Sequence, residues 1–328
     1  MSAPPRKPPG RPGPPKRGGP TAGDREQRPV RRFEPGARPR PPQRPPPRSE
    51  DEAAPGPERG RGERPSRGAA PFPRLRSPSG DLDQLEGRNV VVEALLRKRR
   101  KVVRICLDER AKEDDKVSRL LELAVAARVP VERVPRESLD EICESGVHNG
   151  VIAWAVPLPA YSTQGLLSEL EREGKEPFLL LVDEISYEQN LGAILRSALG
   201  AGVSAVVVPT QRGKGLTPVV HRVAMGGAEM VPLIREGLSS SLATLRRAGV
   251  RIVGADMDGR PCFDVPMTGP LAIVLGGEGK GLTHTLRDRC DEIASVPLSG
   301  ELESLNVSVT AGILAFERVR QLRVEAAR

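Results

Sequence analysis

Apolar positions between residues 87 and 156 change spacing repeatedly, from the three-to-four spacing of amphipathic helices to the short runs of strands. The pattern predicts helices over "GRNVVVEALLRKRRK", "DDKVSRLLELAVAARV" and "RESLDEICES", and strands over "VVRICL", "VERV" and "NGVIAWAV". The third of these helices, "RESLDEICES", opens with a Ser-x-x-Glu capping pattern, which supports its helical assignment. Strands that alternate with helices in this way predict a small α/β domain.

From residue 177 onward the strand-like runs are continuously apolar. They are "FLLLV", "SAVVVP", "VRIVGA", "LAIVLGG" and "EIASVPL". Such runs are typical of parallel strands that helices cover on both faces. Helical patterns lie between them, and "NVSVTAGILAFERVRQL" predicts a long final helix. We therefore predict an open parallel α/β layer over residues 177–328, a first domain over 83–157, and a connecting segment with a short helix over 158–176.

The first 82 residues have a different composition. Residues 1–80 contain 22 of the 34 prolines and carry 19 Lys and Arg against 8 Asp and Glu, whereas the remaining residues carry 32 against 35. Because proline blocks helices and sheet ladders and few apolar side chains are present, this pattern predicts a disordered basic tail. Its expected partner is a polyanion such as RNA; a solubilising extension without a partner is the alternative.

Several classes of protein and site are disfavoured by what the chain lacks. No apolar run approaches the roughly 18 residues that a membrane span requires, and the N-terminus lacks the apolar region of a signal peptide. The four cysteines are widely separated, and three histidines are too scattered for a zinc site. We expect reduced thiols, a cytoplasmic setting, no membrane association and no metal.

Three loops that follow predicted strands carry polar residues that folding does not require. Asn190 and Arg196 are six residues apart after "LLLVD", Glu278 lies within the glycine-rich "GGEGKGL", and Ser304 and Asn306 precede the last helix. The alternatives are structural: a solvated arginine, a tight turn and a helix cap. The glycine-rich loop fits neither the dinucleotide fingerprint nor the P-loop pattern. In open α/β folds, ligands collect at the carboxyl ends of strands.

Together, "NLGAILRSA", "LGGEGKGL" and "VPLSGELESLNVSVTAG" resemble the three signature motifs of SpoU-type RNA 2′-O-ribose methyltransferases, which are SPOUT proteins with an α/β trefoil knot. The resemblance covers residues 177–322 in order and spacing. Residues 83–157 are similar to the family's ribosomal-protein-like substrate-binding domain. This arrangement is most similar to the branch that methylates a guanosine ribose in large-subunit (23S) rRNA. A tRNA enzyme, an enzyme for another rRNA site, and an inactive ribosome-assembly factor are the alternatives within the resemblance.

The resemblance implies S-adenosylmethionine as cofactor, a homodimer, and no metal. It implies that five positions contact the cofactor, namely Gly276, Gly277, Val296, Leu298 and Leu305. It assigns five others to the reaction and the target-nucleotide pocket, namely Asn190, Arg196, Glu278, Ser304 and Asn306. Since a guanidinium hardly ever loses its proton, Arg196 could fix the ribose through the adjacent phosphate instead of acting as a base. A nucleotide-dependent oxidoreductase is disfavoured because the dinucleotide fingerprint is absent.

Overall fold

The computed structural model describes residues 78, 80–211, 214–277, 281–300 and 302–328. The tail predicted over residues 1–82 therefore lies almost wholly outside the described residues. The first domain contains β1 (Asp83–Glu86), α1 (Arg88–Arg97), β2 (Val102–Asp108), α2 (Asp115–Ala126), β3 (Val131–Val134), α3 (Arg136–Ile142) and β4 (Val151–Ala155). Every helix and strand predicted between residues 87 and 156 is present, and β1 is an additional strand.

The first domain is a four-stranded sheet in the order β1-β4-β2-β3, with β4 antiparallel to both neighbours and β3 parallel to β2. Helices α1 and α2 cover one face, where Val91 and Leu120 are fully buried. The predicted helix α3 is present, although its Ser-x-x-Glu pattern does not cap it. The helix begins at Arg136 with Pro135 as its N-cap, because the chain leaves β3 through the fixed φ of that proline; Ser138 is buried inside the helix.

The expected connecting segment contributes to the larger core. It contains α4 (Thr163–Arg172), whose N-cap Ser162 accepts a hydrogen bond from the amide of Gly165 at 3.0 Å. Leu166 and Leu170 of α4 are buried in the same cluster as strand residues that follow. The segment is therefore packed structure as well as a connection.

The larger α/β layer has six strands. Its elements are β5 (Phe178–Val182), α5 (Glu188–Ala201), β6 (Ala205–Val208), α6 (Pro218–Ala224), α7 (Gly227–Met230), β7 (Leu233–Arg235), α8 (Leu238–Arg247), β8 (Arg251–Pro261), β9 (Leu271–Leu275), α9 (His284–Arg287), β10 (Glu292–Ser295) and α10 (Val307–Ala326). All five predicted strands are present, and β7 is an additional one. The strand order is β10-β8-β9-β5-β6-β7, and every pairing is parallel.

Helices cover both faces of this sheet, as the continuous apolar runs predicted. Leu180 of β5 points to the face covered by α5, α6 and α10, whereas Leu179 and Leu181 point to the face covered by α4 and α8. The predicted helix over "PVVHRVAMGGAE" is divided into α6 and α7. Met225 and Gly226 between them both have positive φ, a conformation that ends a helix. The α/β class and the parallel sheet are confirmed.

Candidate functional site at the carboxyl ends of β8, β9 and β10

A cavity of about 430 Å³ lies where three neighbouring strands end. Its walls come from β8, from the glycine turn after β9, and from the segment between β10 and α10. Six of the residues predicted from the sequence line it, namely Gly276, Gly277, Val296, Leu298, Ser304 and Leu305. The structure therefore brings together two motifs that lie about twenty residues apart in the chain.

The glycine turn after β9 closes on itself. The amide of Gly277 donates to the carbonyl of Gly281 at 3.2 Å, and the two residues form an isolated β-bridge. A Cβ at Gly276 would lie 2.1 Å from the carbonyl carbon of Gly281 and 2.4 Å from the amide nitrogen of Leu282. Glycine is required at 276 because the turn's own backbone occupies the space of a side chain. The intervening Glu278 lies outside the described residues.

A bulge in β8 forms the opposite wall. Ile293 of β10 pairs with Gly254, but the next residue, Ala294, pairs with Arg260. The residues between these two partners are not paired with β10, and three of them line the cavity: Ala255, Asp256 and Met257. The bulge therefore turns the Asp256 carboxylate to the cavity.

The sequence analysis did not identify Asp256. The only local signal was its position directly after the predicted strand "VRIVGA". Its carboxylate accepts from the amide of Met257 at 2.8 Å and lies 3.5 Å from the guanidinium of Arg287. Arg287 also binds both carboxylate oxygens of Asp258 at 2.8 and 2.9 Å and holds the pKa of that carboxyl below its usual value. One arginine thus anchors the bulge.

Asn190 and Asn306, predicted from different motifs, are in contact. The amide nitrogen of Asn306 donates to the side-chain oxygen of Asn190 at 3.1 Å. The Asn306 oxygen also accepts from the amide and the hydroxyl of Ser308 at 2.8 and 2.7 Å, so Asn306 is the N-cap of α10. Asn190 is the third residue of α5, whose N-cap is Tyr187.

Arg196 does not line the cavity. It lies six residues beyond Asn190 on α5, about 9 Å farther along the helix axis. Its side chain is exposed, and within the described part of the chain it forms no hydrogen bond or ion pair. The guanidinium is therefore free to bind a partner from outside this chain.

The charges at the cavity favour a cationic ligand. Among the described residues that line it, the charged side chains are Asp256 and Glu303, both carboxylates. Backbone groups of Gly276, Gly277 and Leu305 and the hydroxyls of Ser304 and Thr310 provide neutral hydrogen-bonding groups. A ligand with a positive centre and a polar ring system fits this set, since the carboxylates attract the charge and the backbone groups bind the ring.

Other groups in the described residues carry little further chemistry. No three His, Cys, Asp or Glu residues there are grouped as a metal site requires. All four cysteines are free thiols, and burial raises the pKa of Cys106 and of Cys290 to about 11. The described helices include none with the length and apolarity needed to cross a bilayer.

Two family descriptions match separate parts of the chain. Residues 177–316 match the SpoU rRNA Methylase family, and residues 84–160 match an RNA 2′-O ribose methyltransferase substrate binding domain. The first match contains the cavity, the Asn190–Asn306 contact and Arg196. The second contains all of the four-stranded sheet except its first residue.

Curated proteins and solved structures extend these matches. The 23S rRNA (guanosine-2′-O-)-methyltransferase RlmB of Pseudomonas putida is 37% identical over 246 residues, which are 74% of this chain and 98% of that protein. RlmB of Escherichia coli K12 is 40% identical over 65% of this chain and 88% of its own length. The SpoU methyltransferase AviRb of Streptomyces viridochromogenes, solved with S-adenosylmethionine, is 25% identical with a TM-score of 0.61 and covers 73% of this chain and 90% of its own. The chain therefore belongs to the SpoU rRNA methylase family.

Proposed function

We propose that this protein transfers the methyl group of S-adenosylmethionine to the 2′-hydroxyl of a guanosine ribose in 23S rRNA. The observation that carries this proposal is the cavity formed by the second and third motifs, with the Asn190–Asn306 contact tying the first motif to it. The RlmB relatives, which this chain covers almost completely, supply the substrate class. Ribosomal RNA as substrate also supports the expected cytoplasmic setting.

The cavity is the proposed cofactor site. S-adenosylmethionine, when bound, supplies an electrophilic methyl group on a positively charged sulfur. Asp256 and Glu303 are the only described charged residues that line the cavity, and both attract that charge. The Gly276–Gly281 turn and Leu305 provide backbone amides and carbonyls for the adenine edge, and Val296 and Leu298 provide apolar contact. The chain's residues therefore fit this cofactor.

Arg196 is proposed to hold the target nucleotide. A guanidinium binds a phosphate bidentately, and fixing the ribose in position supplies much of the reduction in the barrier. The side chain is exposed and about 9 Å along the helix from Asn190. Because Arg196 does not line the cavity of its own chain, we propose that it acts at the cavity of another protomer. The role of Glu278 stays a prediction.

A homodimer through α10 is part of the proposal. Two segments are candidates for the dimer contact, "VHRVAMGGAE" and the terminal helix. The first is occupied, since His221 and Glu229 are buried against the first domain. On α10, Val309 and Phe316 are each 48% exposed, and the Phe316 ring lies over Gly200 of α5. A second copy that covers this face would bury both side chains beside Arg196.

We also propose the trefoil knot that the family resemblance implies. β10 lies at the edge of the sheet beside β8, whereas α10 packs against α5 on the other side of β9. The segment that joins β10 to α10 must cross the carboxyl ends of β8 and β9, where it forms the cavity wall. In the proposed knot, this segment passes beneath the glycine turn, so that the C-terminal part of the chain is threaded through an earlier loop.

The test combines cofactor binding with methylation mapping. Wild-type protein should bind S-adenosylmethionine in isothermal titration and place one ribose methyl group on a 23S rRNA transcript. Arg196→Ala should retain cofactor affinity and dimer mass while losing methylation. Cofactor binding without methylation of any RNA would indicate an assembly factor. Methylation of tRNA alone would show that the substrate is tRNA and not 23S rRNA. Near-wild-type turnover of Arg196→Ala would reject its proposed role.

A further inference from the structure

A buried ionic cluster joins the first domain to the methyltransferase layer. Arg100, in the turn between α1 and β2, has a completely buried side chain. Its Nε donates to Glu229 of α7 at 3.1 Å, and its Nη2 contacts the second oxygen of the same carboxylate. Nη1 donates to Asp83 at 2.6 Å, and Nη2 lies 3.3 Å from the Nε2 of His221 on α6. One guanidinium thus contacts three side chains from both domains.

The surroundings of this guanidinium keep the cluster in one arrangement. Burial, with the charge of Arg100 as a second cause, lowers the pKa of His221 to about 3, so the neutral ring can accept from the guanidinium. Burial raises the pKa of Glu229 while Arg100 opposes that rise. Glu93 of α1 is the next carboxylate, and it lies against Gly226 and pairs with Arg97. A buried ion pair is a weak source of stability, but its fixed geometry suits it to defining one orientation of the two domains.

The helix that carries Glu229 also touches α5 at Arg196. A Cβ on Gly227 would lie 2.5 Å from the carbonyl oxygen of Leu195 and 2.9 Å from the amide nitrogen of Arg196. Glycine at 227 therefore lets the backbone of α7 pack directly on the backbone of α5. Since Glu229 is two residues further in the same short helix, α7 lies between Arg100 and the residue proposed to hold the target nucleotide.

A second contact supports the same orientation. The guanidinium of Arg222, on α6, donates to the hydroxyl of Ser145 at 2.5 Å and to the carbonyl of Val147 at 3.3 Å, both in the first domain. The α6–α7 segment is therefore held by the first domain at two places while it packs on α5. A shift of that domain must move α6 and α7 or break these contacts.

We propose that Arg100 is a positioning residue for methyl transfer: it fixes the RNA-binding domain against α7 so that RNA held by that domain presents its target ribose to Arg196. This inference rests on the proposed function. It assigns to one of the basic residues of "RKRRK" a role distinct from RNA contact, since the Arg100 side chain has no exposed surface.

The test separates positioning from cofactor binding. Arg100→Met leaves Glu229 buried without its partner, so the double variant Arg100→Met/Glu229→Met is made as well to keep the junction apolar. Both should bind S-adenosylmethionine with a Kd within twofold of wild type, while kcat on the 23S rRNA substrate falls about 100-fold, the loss typical of a displacement of about 1 Å. Arg100→Lys, which keeps the charge, should recover part of kcat.

Arg119→Met is the matched control, because Arg119 lies in the same domain and forms an exposed pair with Glu122 of α2; it should retain wild-type kcat. A double variant with kcat within threefold of wild type would overturn the inference. So would a parallel loss of cofactor affinity, which would make the cluster a general stabilising element. Failure of the wild-type protein to methylate RNA would instead reject the proposed function.

Discussion

Replacing Gly276 by alanine is the sharpest perturbation of the proposed cofactor site. The added Cβ would lie 2.1 Å from the carbonyl carbon, and 2.2 Å from the carbonyl oxygen, of Gly281. Carbon atoms in contact prefer separations of about 3.5–4.0 Å, so the turn must open by roughly 1.5 Å. Because the obstructing atoms belong to backbone, no side-chain rotation relieves the clash.

The size of the effect follows from what the opened turn loses. The 3.2 Å hydrogen bond between the amide of Gly277 and the carbonyl of Gly281 closes the turn, and a bond of this kind contributes about 1 kcal/mol. The cavity wall is displaced with it. We expect the Kd for S-adenosylmethionine to rise at least tenfold, which corresponds to about 1.4 kcal/mol.

Isothermal titration measures this change, with circular dichroism to confirm that the variant folds. Gly215→Ala is the control, because a Cβ at Gly215 meets no atom within 4 Å and its backbone conformation is not left-handed. A folded Gly276→Ala protein whose Kd stays within twofold of wild type would refute the reasoning. The turn would then not be a wall of the cofactor site.

Three further predictions test the dimer, the buried histidine and the tail. Phe316→Glu should convert the dimer to a monomer in light scattering, because it charges the exposed face of α10; an unchanged mass contradicts that interface. Burial lowers the pKa of His221 from 6.5 to about 3, so its contribution to stability is present above pH 6.5 and is lost as the pH falls. In urea titrations, the wild-type protein should therefore lose about 2 kcal/mol more unfolding free energy between pH 7 and pH 5 than His221→Gln does. An equal loss in both proteins would contradict this. Deleting residues 1–80 should weaken RNA affinity and flatten its salt dependence. An unchanged salt dependence would show that the tail does not contact RNA.

The sequence predicted most of the fold because its signals there are local. "FLLLV" and "LAIVL" are long enough to mark buried parallel strands, and both form as expected. The strand β7 was missed because it has only three residues, one of them the exposed Arg235. The break between α6 and α7 was missed because Met225 has φ 47°, a conformation rare for side chains other than glycine and asparagine.

The candidate site was predicted in part. Gly276, Ser304 and Leu305 come from motifs contiguous in sequence, and the structure places all three at one cavity. Asp256 could not be found in this way, because the bulge that presents it depends on β10 changing its partners along β8. Arg100 is similar: it is one of five consecutive basic residues in "RKRRK", and only packing against Glu229 determines which of them is buried.

The cavity and the substrate make opposite electrostatic demands. Among the described lining residues the charged groups are Asp256 and Glu303, which attract a sulfonium but repel the phosphates of RNA. Among the described residues, Arg196 is exposed on α5 and forms no ion pair, so it can bind those phosphates. In the proposed reaction, the anionic cavity and this cationic group must then meet for each methyl transfer. The proposed placement of the RNA-binding domain by Arg100 and the proposed pairing of protomers through α10 would each bring them together. We therefore expect a change in either to lower kcat without lowering cofactor affinity.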